Sequence, residues 1–302
     1  MSHNLPLSPV AKGYLWGIGG VVVFGFTLPF TRLVVPVMDP VFVGLGRAVF
    51  AAVIALCLLL GTRSPWPGRR QWLALGIVAA GVVIGFPVLS AIAMQSVPAT
   101  HGGVVLGLLP LATALASVLV NRERPPLWFW ITAIAGALLV VIYAAGTQFG
   151  AVSSGDLFLV GATVSAAIGY AISGRLARSM GGWRVICWAL VVALPFIVIP
   201  AWTAMPKTDV VIAPHQWLAF AYLALASQLG GFFLWNRGLA LGGVARVSQV
   251  QLLQPFITLV GAMWILSEVI TMRDLAFAVA VVVCVALNKR TLSRRWQIRA
   301  RQ

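Results

Sequence analysis

The stretch ARVSQVQLLQPFITLVGAMWILSE, residues 245–268, is apolar for most of its length, yet it carries Gln249, Gln251, Gln254 and Pro255. A carboxamide in apolar surroundings can hydrogen-bond a polar solute or tie neighbouring helices together. Proline has no N–H, so in a continuous helix the carbonyl four residues earlier, that of Gln251, loses its partner. In lipid such a group must face protein or a water-filled cavity. Ser248, Gln251 and Pro255 recur at i, i+3, i+7, one face of a helix, and Gln254 lies beside Gln251. Their spacing predicts a solute-binding face at Ser248, Gln251 and Gln254, with helix-to-helix bonding as the competing reading for each glutamine. Pro110, in the apolar run 100–120, would free the carbonyl of Leu106 in the same way. Both prolines are read as gating hinges, the alternative being fixed kinks.

Other residues could join such a site. Gln228 precedes Gly230, Gly231, Phe232, Phe233 and Trp235 in ASQLGGFFLWNRG. Aromatic rings beside a polar group suit a solute with a bulky apolar part, and the glycine pair permits local distortion of a helix. Trp235 is read instead as part of an aromatic belt at the membrane interface. FPVLSAIAMQSVPATHGG adds Pro87 as a hinge and Met94 and Gln95 as lining residues. Phe24, Phe26 and the hinge Pro29 come from the first apolar run, and Tyr170 from the sixth. Gly161, Ser165, Gly169 and Ser173, at fourfold spacing around Tyr170, read as a helix-contact stripe. His101 is a candidate gate or proton site, because histidine titrates near pH 7; a simple helix cap is the other reading. Three partners are open to Arg47, a basic residue inside an apolar run: Asp39, a helix terminus or a substrate carboxylate. Glu123 and Glu268 read as structural markers of helix ends.

The elements that must position these groups follow from composition. Soluble proteins carry about 25% charged residues; this chain of 302 residues has 9%, with 61% hydrophobic. A helix needs about 20 apolar residues to cross a bilayer. Ten apolar runs meet or approach that length, at about 13–33, 40–60, 72–97, 100–120, 127–146, 156–177, 185–203, 216–236, 246–267 and 273–288. They are continuous rather than alternating, which excludes a β-barrel. Cys57, Cys187 and Cys284 each fall inside a run and have no metal-type spacing. With both termini in the cytoplasm, all of the 21 basic residues but Arg32, Arg47, Lys207 and Arg273 fall on the inner side, and all of the six acids but Glu123 on the outer. That is the positive-inside bias, so the net charge of +15 marks topology and lipid contact rather than nucleic acid.

The chain also repeats. A shift of 145 residues carries Pro110 to Pro255, Glu123 to Glu268 and Gly85 to Gly230, so PLATALASVLVNRE overlays PFITLVGAMWILSE at both ends. Five runs per half, an odd number, insert the halves in opposite senses. Two five-run halves and the paired spacing of proline, twelve residues, glutamate make the chain similar to the drug/metabolite transporter (DMT) superfamily. More narrowly, it resembles EamA-type carriers and, among them, the bacterial aromatic amino-acid exporters of the YddG type. The resemblance covers the whole chain. It implies an all-α integral membrane protein with ten transmembrane helices in two inverted repeats, 1–150 and 151–302, in a bacterial inner membrane. It also implies a central cavity lined by spans 1, 3, 4, 6, 8 and 9, with spans 5 and 10 peripheral.

Three functions are compatible with these residues. The first is export of neutral or aromatic amino acids and related metabolites by alternating access. The second is carriage of another small solute, such as a sugar derivative, an amine or a drug-like compound. Phosphorylated solutes would call for central cations, and only Arg47 is available. The third, a membrane-embedded enzyme, lacks its machinery: His3, His101 and His215 and the scattered acids form no catalytic or metal-binding pattern. No acid falls in the central half of any run, which disfavours carboxylate-driven proton antiport. The expected partners are a small-molecule substrate and the lipid bilayer, with no cofactor, no nucleic acid, and a monomer as the default.

Overall fold

Lipid offers the backbone no hydrogen-bond partner, so a chain this apolar must satisfy its N–H and C=O groups within each segment, as helices do. The computed structural model describes residues 8–121, 127–147, 153–207, 210–243 and 247–299. Among these residues all regular structure is helical. Among the described residues seven helices are long and apolar enough to cross a membrane: α1 Pro9–Val34, α2 Phe42–Gly61, α3 Arg69–Ala93, α4 Ala99–Val120, α6 Ser154–Met180, α7 Gly182–Thr203 and α8 Pro214–Gly242. Between and beyond them lie α5 Leu127–Thr147, α9 Gln254–Leu266 with a 3-10 lead-in Ser248–Leu253, and α10 Met272–Arg299. Glu123, Arg122, Arg124, Asp209 and Arg246 lie outside the described residues, as does the Gln249 side chain.

The helices turn large apolar side chains outward, among them Phe50, Leu73, Phe196, Ile199, Trp202 and Trp264. So much exposed apolar surface suits acyl chains, not water. Inside, α1 lies along α8, α2 along α7, and α6 along α3 and the second part of α4. The first part of α4 meets α9, and α5 pairs with α10. The α1–α8 crossing is lined by glycine: a Cβ added at Gly13 would stand 2.6 Å from the Gly242 nitrogen, and one at Gly238 would stand 2.8 Å from that of Gly17. The fourfold-spaced stripe of α6 serves the contact expected of it, since Cβ atoms added at Gly81 and Gly85 would run into Ser165.

Several helices are interrupted. α1 breaks at Phe26. α2 opens with a π-helical turn, Phe42–Gly46. π-helical segments also occupy Ala79–Gly85 of α3 and Tyr222–Gly230 of α8. In α4 the N–H groups of Gly107 and Leu108 reach back only three residues, to Val104 and Val105. Each proline read as a hinge stands in the first turn of a fresh segment: Pro29 in Thr27–Val34, Pro87 in Phe86–Ala93, Pro110 in Leu109–Asn121 and Pro255 in Gln254–Leu266. There its missing N–H costs nothing. This corrects one expectation. The Gln251 carbonyl is not orphaned by Pro255, because the lead-in winds as a 3-10 helix and that carbonyl accepts the Gln254 N–H.

Candidate functional site

The interruptions meet one another, and side chains close the gaps they leave. The α1 break loosens carbonyls near Phe26; the Tyr222 hydroxyl donates to the Val23 carbonyl at 2.8 Å and Thr258 Oγ1 to the Gly25 carbonyl at 2.8 Å. Thr27 and Ser227 hydroxyls meet at 2.8 Å. Gln228 Nε2, from the π segment of α8, donates to the Val82 carbonyl in the π segment of α3 at 3.2 Å. Gln228, expected to face solute, thus spends its donor on a helix-to-helix bond. Gly103 and Gly107 of α4 sit directly against Thr258 and Pro255. Irregular backbone is tolerated at membrane depth only where protein or a cavity covers it.

Against this layer stands a cluster of buried rings. Phe24 lies 6.3 Å from Tyr170, 5.0 Å from Phe232 and 6.4 Å from Trp235, ring centre to ring centre. Gly231 admits the Phe24 ring, which a Cβ there would meet at 2.7 Å. Trp235 is fully buried within this cluster and not in an interfacial belt: the π segment of α8 and the bare glycine face of α1 draw it inward. Phe233, one position along the helix, points about 100° away and stacks edge-on against Trp183 at 6.4 Å. Phe26 packs over Gly261 beside Phe30, and Pro29 touches the same glycine. Met94 is buried near Leu28 at the start of α4. Gln95 is exposed, because α3 ends at Ala93 and the chain turns there. The structure therefore gathers Phe24, Tyr170 and Phe232 and leaves Phe26, Phe233, Met94 and Gln95 apart from them.

Val247 and Val250, at the lead-in to α9, share a core with Trp235. In a 3-10 helix residues three apart eclipse, so Ser248, Gln251 and Gln254 form one line, and all three are buried. Gln251 is 1% exposed. Neither of its amide atoms meets a hydrogen-bond partner among the described residues, nor does Oε1 of Gln254. Helix-to-helix bonding, the competing reading for these two residues, does not account for those atoms.

Arg47 directly follows the π turn of α2 and lies on its inner stripe with Ala51 and Ala55; it is 2% exposed. Asp39 forms no ion pair with it among the described residues; the Asp39 carboxylate accepts the Val41 N–H at 2.7 Å and caps α2.

A second polar group lies where α4, α5, α6 and α10 meet. His101 Nε2 is 2.5 Å from Asp156 Oδ1, and both residues are buried. The His101 ring stacks on Tyr143 at 4.9 Å, whose hydroxyl donates to Asp274 Oδ1 at 2.5 Å. The Arg273 guanidinium lies over the Tyr143 ring at 5.7 Å. Both acids are held by capping boxes, Asp156 by Ser153 and Asp274 by Thr271. Nearby, Glu268 accepts the N–H groups of Ala99 and Thr100 at 2.9 and 2.8 Å. It is a structural end marker, as expected, and its carboxylate caps α4 from the end of α9.

Membrane-length helices whose breaks converge on buried rings and unpartnered amides define a multi-pass membrane transporter. The chain belongs to the EamA-like transporter family of the DMT superfamily, matching it over residues 11–144 and 153–289. It is 43% identical, over 94% of its length and 99% of the relative's, to an uncharacterized transporter, YdeK, of Bacillus subtilis. It is 26% identical to the protein PecM of Dickeya dadantii, over 84% of this chain and 90% of that one. A solved crystal structure with 20% identity overlays 94% of this chain and 98% of its own with a TM-score of 0.64, a likeness of fold.

Proposed function

We propose that this transporter exports neutral and aromatic amino acids and related metabolites across a bacterial inner membrane by alternating access. Its two halves, 1–150 and 151–302, are five-helix repeats inserted in opposite senses, giving ten crossings with both termini in the cytoplasm. Several observations support that organisation. The family match falls in two stretches. The π segments of α3 and α8 end at Gly85 and Gly230, 145 residues apart, and Leu109–Pro110 and Gln254–Pro255 open helical segments at the same offset. The pairings α1–α8 and α6–α3 exchange under that offset, while α2–α7, α4–α9 and α5–α10 each pair a helix with its own counterpart.

The observation that carries the substrate reading is Gln251, a buried amide with donor and acceptor unused, one position after Val250, which shares a core with Phe24, Tyr170, Phe232 and Trp235. Such an amide recognises polar backbone groups of a solute while the rings accept its apolar side chain. The test is counterflow into liposomes holding purified protein, with radiolabelled phenylalanine compared with methionine, threonine, a sugar and a polyamine. Uptake of several neutral amino acids is expected. Gln251→Ala should lower it roughly three- to tenfold at subsaturating solute, the loss of one or two hydrogen bonds worth about 0.5–1.5 kcal/mol each. Uptake confined to the sugar or the polyamine would refute the reading.

A further inference from the structure

Arg47 is a permanent charge with 2% of its surface exposed. No carboxylate among the described residues lies within ion-pair distance of it, and its Nε has no hydrogen-bond acceptor there. Burying a charge is costly unless it is paired, and ionisable groups inside membranes face interior cavities and mark solute pathways. Two of the partners open to Arg47 from the sequence are already excluded. Asp39 is engaged at the start of α2, and no helix-terminal carbonyl among the described residues accepts from the guanidinium.

Its position is built rather than accidental. The π turn Phe42–Gly46 immediately precedes it, and π turns inside α-helices concentrate at functional sites. The small residues Ala48, Ala51, Ala52 and Ala55 share its buried face. Ala48 and Ala51, which flank it on that face, belong to the same buried core as Tyr170, whose hydroxyl makes no hydrogen bond to a described residue. Tyr170 is itself a member of the ring cluster.

We propose that Arg47 is the counter-charge for a carboxylate on the transported solute, with the Tyr170 hydroxyl as a second donor and the Phe24, Phe232 and Trp235 rings receiving the solute's apolar part. This rests on the transport reading above and narrows it: the carboxylate, not the amino group, is the obligatory recognition element. A carboxylate fits better than a phosphate because a single guanidinium matches a single negative charge in fork geometry, and because the neighbouring groups are aromatic rather than cationic.

The test uses the full chain in detergent and pairs of related probes. Thermal unfolding is followed with phenylalanine, 3-phenylpropionate, phenylalaninamide and phenethylamine, for wild type, Arg47→Lys, Arg47→Met and Tyr170→Phe. The two carboxylates should raise the wild-type melting temperature, and the amide and the amine should not. Without any probe, Arg47→Met should melt at or above the wild-type temperature, because an unpaired buried charge has been removed. Its apparent affinity for 3-phenylpropionate should fall at least about tenfold. Arg47→Lys should keep part of that affinity, and Tyr170→Phe should weaken it while melting like wild type.

A structural role for Arg47 predicts the reverse: Arg47→Met melting below wild type, or failing to fold, would overturn the assignment. So would equal stabilisation by phenylalanine and phenylalaninamide, or no shift with either carboxylate. The transport reading is separable. Phenylalanine counterflow that persists in Arg47→Met with unchanged half-saturation keeps amino-acid export and removes Arg47 from recognition. Absence of phenylalanine counterflow, alongside Arg47-dependent binding of 3-phenylpropionate, keeps the carboxylate site and removes amino-acid export.

Discussion

Glu268 joins two helices through its carboxylate alone. It accepts from Ala99 and Thr100 at 2.9 and 2.8 Å, the first N–H groups of α4, which no intrahelical acceptor can reach. The negative charge also sits at the positive end of the α4 dipole. Glu268→Ala leaves those donors unsatisfied at a half-buried site and should destabilise the protein by about 1–3 kcal/mol, with Glu268→Gln intermediate. Melting in detergent, followed by tryptophan fluorescence, measures this; an unchanged Glu268→Ala would show that solvent satisfies the α4 end. This pairing, like that of His101 with Asp156, was only half legible in the sequence. Ser153 and Asp156, or Thr271 and Asp274, announce their capping boxes by spacing alone. Their second partners, His101 and Tyr143, lie 55 and 131 residues away, and only the fold brings them near. Gln251 could be picked out because an amide in an apolar run is conspicuous by type. That its amide atoms meet no partner is a property of the surroundings.

Helices were legible for a simple reason: the length of an apolar run is a one-dimensional property and so is readable from a chain. Their internal geometry is not. α, π and 3-10 turns differ in which carbonyl an N–H reaches, and here that choice depends on side chains from elsewhere, such as Tyr222 on the Val23 carbonyl and Gln228 on that of Val82. The proline at 255 reads as a mid-helix kink in sequence, yet it begins a helix, because the line Ser248–Gln251–Gln254 winds more tightly before it. Gly13 and Gly17 of α1 and Gly238 and Gly242 of α8 were visible but unassigned, since either helix alone could have turned them to lipid. Their contact makes a definite expectation. Gly238→Leu would drive a side chain into the backbone of Gly13 and Gly17. Overpacking of this kind costs about 1–3 kcal/mol, so the variant should melt lower and express less well. Gly61→Leu, where a Cβ meets nothing within 4 Å, should change neither. Equal behaviour of the two variants would refute the close crossing of α1 and α8.

At the scale of the molecule, the charge asymmetry and the helix ends make one joint prediction. Gly13 of α1 meets Gly242 of α8, and Gly182 of α7 meets Asn236 and Arg237. Trp66, after α2, packs at a tilt against Trp188 of α7, ring centres 5.1 Å apart. These contacts collect the start of α1, the α2–α3 turn and the end of α8 at one face of the bundle, together with the basic residues Lys12, Arg63, Arg69, Arg70 and Arg237. The start of α4 and the end of α9, joined by Glu268, lie at the other. Basic residues are retained on the cytoplasmic side during insertion, so the first face should be cytoplasmic. In a variant lacking Cys57, Cys187 and Cys284, a single cysteine at Pro65 or Val269, both exposed, reports its side. A membrane-impermeant maleimide added to intact cells should label Val269→Cys and spare Pro65→Cys until the membrane is opened. The inverse pattern would place both termini outside. Labelling of both from outside would mean that the two turns share a face, which α3 forbids, since Arg69–Ala93 runs from the α2–α3 turn across the bundle to the start of α4.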